Sequence, residues 1–370
     1  MHIPDGYLSP STCAAMYAGA APFWYVALRR LKRTFNARMI PLLSLMSAFC
    51  FVIMMFNLPV WGGTTAHAVG MGIAAVILGP WASMVAISIA LLIQALFFGD
   101  GGITCYGANC FNMAIVGSLA AYTVYRAISG RTPVGSPRRI AACALGGYVG
   151  INLSALCAAI EFGIQPALFH DASGAPLYAP YSLSVAIPAM LAAHLSLAGV
   201  AELVIGGALL AYLQRIDPAL LLRTAPGAAN DESILIEAMG WDKLRPLWIG
   251  LAVLMLITPL GLLATASAWG EWGPEDLRNP GVRQEIAAAS GNVAPPVNVP
   301  SGLEKLSTLW TAPMPDYAPG FLKSEKLGYI CSAMFGTGLI LGAWLALGGA
   351  IRLISNRLQP PPGEAQKFVN

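Results

Sequence analysis

The run MIPLLSLMSAFCFVIMMFNLPV, from Met39 to Val60, holds 22 residues and not one charge. Crossing about 30 Å of hydrocarbon as a helix takes about 20 mostly apolar residues, so this stretch reads as a membrane span. Runs of the same kind recur on both sides of it. We read one before it, Ser11 to Leu28, and after it a short one, Thr64 to Gly79, then Trp81 to Phe98, Ala108 to Ile128, Ile140 to Ile164 and Ser184 to Leu213. Two more, Leu247 to Ala268 and Leu327 to Ile354, complete nine predicted spans. The whole chain of 370 residues is 56% hydrophobic and 11% charged. Soluble domains carry about 25% charged residues, so a single soluble core is excluded.

Short cytoplasmic loops are enriched in Lys and Arg, which gives the spans a direction. Arg29, Arg30, Lys32, Arg33 and Arg38 follow the first span and set that end inside; counting alternate sides then puts Arg126, Arg131, Arg138, Arg139, Arg215, Arg223, Lys243, Arg245, Arg352, Arg357 and Lys367 inside too. Sixteen of the 21 basic residues fall on that side. The expected topology has the N-terminus outside and the C-terminus cytoplasmic. The segment before the first span lacks a basic region and a separate apolar stretch, so no cleavable signal peptide is expected and Met1 should remain.

The expected fold is an all-α polytopic membrane protein: seven spans in residues 1–224, a polar cytoplasmic linker over 225–244, and a two-span hairpin over 245–358. The hairpin encloses an outer loop of about 269–326, rich in Pro and Gly and weakly acidic, too long for an idle connection. Its size and acidity suggest that it docks near the N-terminus. Residues 359–370 read as a tail. Cys105 and Cys110 lie near the outer face, but no metal or disulfide spacing supports a pair among the seven cysteines.

The most informative stretch is Met1-His2-Ile3-Pro4-Asp5-Gly6. An α-amine, the next backbone nitrogen once deprotonated, and the imidazole of residue two can chelate one cation in a plane, with one place left for a fourth nitrogen. Such a plane suits Ni(II) or Cu(II) and can hold Co(II), whereas Zn(II) prefers a tetrahedron. His67, in Gly62-Gly63-Thr64-Thr65-Ala66-His67, is a candidate on the same outer side. Taken without their surroundings, His2 could equally be a loose terminal residue and His67 a satisfied interfacial one. Pro4, Gly6 and Pro10 are turn-formers that could fold the terminus back onto the protein.

These segments resemble the nickel/cobalt substrate-binding family of energy-coupling-factor importers, the CbiM/NikM group. The resemblance rests on Met1 to Gly6 with Leu8-Ser9-Pro10, on Gly62 to His67, on Leu78-Gly79-Pro80-Trp81, on Gln94 to Thr104, and on Gly107-Ala108-Asn109 and Asn112-Met113; it covers residues 1 to 220. It implies that the Met1 amine, the His2 backbone nitrogen and imidazole, and the His67 imidazole bind the metal, on a six-helix substrate-binding core with one added N-terminal helix. The C-terminal hairpin resembles a PDGLE, or CbiN/NikN-like, module through Val299-Pro300-Ser301-Gly302-Leu303-Glu304-Lys305 and Met314-Pro315-Asp316-Tyr317. Ser301 stands where that motif has its aspartate. The resemblance implies a fused auxiliary subunit that aids metal loading, partner ATPase and transmembrane coupling subunits, and a prokaryotic cell membrane as the location, with a link to cobalamin biosynthesis where the cargo is cobalt.

Other polar residues carry less. Asn57, Asn109 and Asn112 could support the ligands or join helices. Glu202, deep in the seventh span, could pair with His194 or serve a metal pathway. Asp100 reads as a turn residue, and Glu161 and His170 as solvated. No histidine is followed by glutamate, so the HExxH protease signature is absent, and there is no Gly-x-x-x-x-Gly-Lys-Ser/Thr loop for ATP. The chain is therefore not expected to be an enzyme, needs no resident cofactor beyond the transported Ni2+ or Co2+, and has no expected nucleic-acid partner. The alternative to an ATP-driven importer subunit is an ATP-independent metal carrier or channel.

Overall fold

The structure, a computed structural model, describes residues 1–34, 39–222, 224, 241–264 and 266–357. Most of the predicted linker, Arg38, Arg223, Lys367 and the tail 359–370 lie outside the described residues. Five helical stretches are long and apolar enough to cross a membrane: Pro80–Phe98, Pro137–Leu168, Leu183–Ile216, Lys243–Leu263 and Glu325–Ile351. Four further predicted spans are helical at least in part. They are Pro10–Thr34, Ile40–Met54, Met71–Leu78, and a run made of Tyr106–Asn109, Cys110–Val116 and Gly117–Ser129.

The third of the nine predicted spans departs from expectation. Thr64–Ala66 is a strand, paired antiparallel with Leu58–Val60, and only Met71–Leu78 is helical. Gly62 and Gly63 make the turn, both at positive φ (83° and 77°), where other residues are strained. Eight helical residues rise only about 12 Å, so this helix cannot cross the bilayer by itself. Its every residue is buried within the protein, where irregular backbone is tolerated as long as its polar groups are paired.

Glu202 supplies that pairing. Its carboxylate is fully buried and accepts from the backbone N–H groups of Val69 (2.8 Å), Gly70 (2.7 Å) and Gly72 (3.0 Å), at the N-terminus of Met71–Leu78. A carboxylate here satisfies orphan donors and complements the helix dipole. Glu202 therefore belongs neither to a pair with His194 nor to a row of metal ligands. Small residues let the helices close around it. A Cβ on Gly146 would meet the Ala121 carbonyl oxygen at 2.6 Å, and one on Gly72 would meet Gly147 Cα at 2.7 Å. Such close backbone approach is the usual means of association in lipid.

The C-terminal module packs on this bundle. Trp344, fully buried in the last helix, donates to Ser47 Oγ (2.8 Å) in Ile40–Met54. The predicted outer loop contains the short helices Pro274–Arg278, Pro280–Ala289 and Ser301–Leu306. It is pinned to the first part by backbone bonds from Gly302 N to Leu177 O (2.8 Å) and from Met314 N to Phe97 O (3.0 Å). Leading into it, Ala268 makes a single parallel bridge to Thr65 beside the two-stranded hairpin.

Removing the Glu202 carboxylate leaves three buried N–H groups unpaired, at about 1–3 kcal/mol each. Glu202→Ala should lower the thermal midpoint in detergent sharply, and Glu202→Gln, which keeps one accepting oxygen, should lower it less. Equal midpoints for the two variants and the parent would show that the cap contributes nothing.

Candidate metal-capture site

The N-terminus is threaded into the protein. Met1, His2 and Ile3 are 2%, 1% and 0% exposed. Asn109 holds Ile3 from both sides: its Oδ1 accepts from Ile3 N (2.8 Å) and its Nδ2 donates to Ile3 O (3.1 Å), which also accepts from Gly102 N (2.8 Å). Asp5 then caps the next loop, accepting from the backbone N–H of Ile103 (3.1 Å) and Thr104 (2.7 Å) and from the Thr104 hydroxyl. Glycine is required where the two segments cross, since a Cβ on Gly102 would lie 2.3 Å from Asp5 N. Further on, Gly6 sits at φ 89° against Leu303 of the module, and Tyr7 donates to the Trp272 carbonyl (2.7 Å).

This threading sets His2 beside His67, which leaves the hairpin just before the short helix. The rings stack at 5.0 Å between centroids and 25° between planes. His67 Nδ1 lies 3.0 Å from the Ala68 carbonyl oxygen. That oxygen only accepts, so Nδ1 carries the proton and Nε2 presents a lone pair. His67 Nε2 is buried and unpartnered, as is His2 Nε2. His2 Nδ1 faces Asp100 Oδ1 at 2.7 Å, and the terminal amine faces Glu271 Oε1 at 3.1 Å. The His2 backbone N–H has no hydrogen-bond partner among the described residues.

Asp100 does more than shape a turn. Its Oδ2 accepts from the Tyr317 hydroxyl (2.5 Å) and from Gln94 Nε2 (3.1 Å), tying His2 to the C-terminal module. Burial would raise its carboxyl pKa, but the His2 imidazole and its hydrogen bond pull it below the ordinary carboxylate range.

The other sequence candidates divide. Asn57 lines the cavity beside His67, Asn109 clamps the terminus, and Asn112 lies away from the ligand atoms, donating to Glu161 (3.0 Å). Glu161 is buried rather than solvated, because Asn112 gives it a partner inside the bundle. His170 is exposed, as expected. His194 is buried, with Nδ1 against the Met190 carbonyl (2.7 Å) and Nε2 unpartnered. All seven cysteines are free; Cys105 lies 3.8 Å from Cys13, and no bond joins it to Cys110.

Among the described residues no three His, Cys, Asp or Glu side chains form a metal cluster. A site built from a terminal amine and backbone nitrogen as well as imidazoles needs no such cluster. Glu271, which reaches the terminal amine from the module, gave no signal in sequence, and Tyr317, part of the Met314 to Tyr317 motif, gave none of its pairing with Asp100, because their partners lie 270 and 217 residues away.

Residues 2–220 match the family model described as the cobalt uptake substrate-specific transmembrane region, and residues 245–353 match the PDGLE domain. The chain is 53% identical to the fused nickel transport protein NikMN of Rhodobacter capsulatus, over 96% of this chain and 99% of that one. It is 42% identical to the probable fused nickel transport protein LarMN of Lactiplantibacillus plantarum, over 90% and 93%. A crystal structure of a truncated transition metal transporter, 51% identical, superposes with a TM-score of 0.54 and covers 58% of this chain and 98% of its own. These relatives are transport proteins and not enzymes. Helical spans, a buried N-terminus and matches along almost the whole length lead to one assignment: the chain belongs to the CbiM family of nickel and cobalt transport proteins, with a PDGLE domain fused behind its metal-uptake region.

Proposed function

We propose that this chain captures Ni2+ or Co2+ as the substrate-binding subunit of an energy-coupling-factor importer, with the N-terminal end of the bundle facing outward. The observation that carries the reading is the buried, unpartnered Nε2 of His67 beside an equally buried His2 and terminal amine. An orphaned buried nitrogen costs free energy unless something binds it, and the natural occupant of a neutral imidazole lone pair is a metal. The Met1 amine, the His2 backbone nitrogen, His2 Nδ1 and His67 Nε2 would form the plane. His2 Nδ1 and the amine now face Asp100 and Glu271, so the cation takes the place of two carboxylate contacts. Burial, with the terminal ammonium and His2 close by, holds His67 well below the usual histidine pKa, so it meets the metal already neutral.

Energy must come from partners, since the sequence carries no nucleotide-binding loop of the Gly-x-x-x-x-Gly-Lys-Ser/Thr form. In proteoliposomes, nickel uptake should require ATP together with the ATPase and coupling subunits. Uptake by the chain alone at the same rate would favour an unassisted carrier.

His67→Ala should weaken nickel or cobalt binding by more than about 100-fold, since even outer partners of ligands cost about 10–100-fold. His194→Ala should change it little. Titration of purified variants in detergent reads this directly, and similar small losses for both would remove His67 from the ligand set.

A chelate that begins at the first atom of the chain cannot tolerate an extension, which turns the amine into an amide. A chain tagged after Asn370 should bind metal, and one with a few non-coordinating residues before Met1 should not. Binding by the tagged chain should also fall as pH drops. Amine, amide and imidazole must all be free of the competing proton to bind, so affinity should fall by about tenfold per proton released for each pH unit. Full binding by the extended protein, or affinity flat across pH 6 to 8, would rule out the terminal chelate.

A further inference from the structure

Between the N-terminal loop, the hairpin and the C-terminal module lies a cavity of ≈ 470 Å³. A cation with six waters displaces about 200 Å³ at the volume share of liquid water, so it fits with its hydration intact. Four carboxylates line the cavity, graded in depth. Asp316 and Glu325 are exposed at the module's edge, while Asp100 and Glu271 are 18% and 24% exposed further in. At the closed end is His67, whose side-chain Nε2 is buried and unpartnered.

Three of the four carboxylates come from the module, and the backbone there is shaped to present them. Asp316 and Tyr317 both adopt positive φ (54° and 60°), a conformation that L residues other than Asn, Asp and Gly rarely take. The strained turn puts the Tyr317 hydroxyl on Asp100 and leaves the Asp316 carboxylate lining the cavity without a hydrogen bond among the described residues.

The geometry points to this cavity as the entry route for the hydrated divalent cation, with Asp316 and Glu325 as an outer electrostatic funnel that delivers it to the histidine end. Resting on the capture function proposed above, the inference adds the path and the residues that set its speed. Carboxylate oxygens replace water on Ni2+ or Co2+ singly and weakly, which suits a passage. The nitrogens deeper in hold more tightly, which suits a terminus. A cleft lined by one sign of charge focuses the field and raises the rate at which an oppositely charged ligand arrives, by about 10- to 1000-fold in strong cases.

The test uses the full chain in detergent and NiCl2 alone, following binding by absorbance in a stopped flow. Asp316→Asn is the right replacement at a left-handed position, since asparagine tolerates it, and Glu325→Gln keeps the size of the side chain. Neither residue makes a hydrogen bond or ion pair with Met1, His2 or His67 among the described residues. The double variant should load nickel about tenfold more slowly, with a flatter dependence on ionic strength, while stoichiometry and dissociation rate stay at the parent values. Asp316→Asn with Glu325→Lys should be slower again.

An unchanged association rate in both variants would overturn the route while leaving capture by the nitrogen plane standing. A faster dissociation with unchanged association would also overturn it, since the two carboxylates would then be holding the metal rather than passing it on. If the parent chain takes up no nickel, the capture reading fails and the route fails with it.

Discussion

The structure depends on the pairing of Asn109 with the backbone of Ile3. A terminal amine and two residues of main chain are taken out of water here, and a buried, unpaired polar group costs about 1–3 kcal/mol. Asn109 satisfies the Ile3 N–H and carbonyl at once, and Gly102 donates a second bond to that carbonyl. These bonds use the peptide and not the side chain, so they fix where His2 begins regardless of what its ring touches. Asp5 repeats the device two residues later, and Gly102 lets the two backbones come that close, since a Cβ there would meet Asp5 N. A freely moving terminus would lose the pre-organisation that a chelate of contiguous atoms needs.

The second histidine is fixed by different means. His67 follows a hairpin and precedes a half-length helix, and both are held from outside. Glu202 grips the helix N-terminus, and Ala268 with Ser267 extends the hairpin by a bridge to Thr65 and a hydrogen bond from Thr64 Oγ1 (3.0 Å). The π-helical turns Gln94–Phe98 and Cys110–Val116 bracket the loop that receives the N-terminus. One places Gln94 on Asp100, and the other follows directly on Asn109. Such widened turns re-aim side chains that a regular helix would point elsewhere, and they concentrate at functional sites for that reason.

Much of the helical architecture was legible in the sequence because the bilayer demands uncharged runs of a set length, and these are visible one residue at a time. The run from Thr64 to Gly79 misled for a physical reason: an apolar stretch buried on all sides shows no period, so an extended segment and a helix look alike. Gly62, Gly63 and Gly70 were the only sign that the backbone turns there. Glu202 was left between a pair with His194 and a metal pathway, because an ionisable group in a membrane is paired or functional. Its three partners are backbone amides more than a hundred residues away, which no side-chain pattern records. Met1, His2 and His67 could be singled out because the proposed chelate is partly local, with amine, amide and imidazole contiguous. Asp100 was read as a turn and Glu161 as solvated because each takes its meaning from a distant partner, Tyr317 and Asn112.

Fusion of the module to the first part bears on how its contacts should be weighed. Linked segments meet at an effective concentration in the millimolar range for a short flexible tether, so weak contacts persist that would dissociate between separate chains. The contacts here are many and individually modest: Tyr7 to Trp272, Leu177 to Gly302, Phe97 to Met314, Gln94 and Asp100 to Tyr317. Ser301 is exposed and its hydroxyl makes no hydrogen bond among the described residues, so the docking of its segment relies on Gly302, which no larger residue could replace against Tyr178. What the module contributes to the cavity is carboxylate and phenol, oxygen donors that hold Ni2+ or Co2+ less tightly than imidazole does, while the first part contributes nitrogen along with Asp100. On the capture function proposed above, that division of donor types between the two parts would let one chain offer a cation a weak site and a strong one within a single cavity.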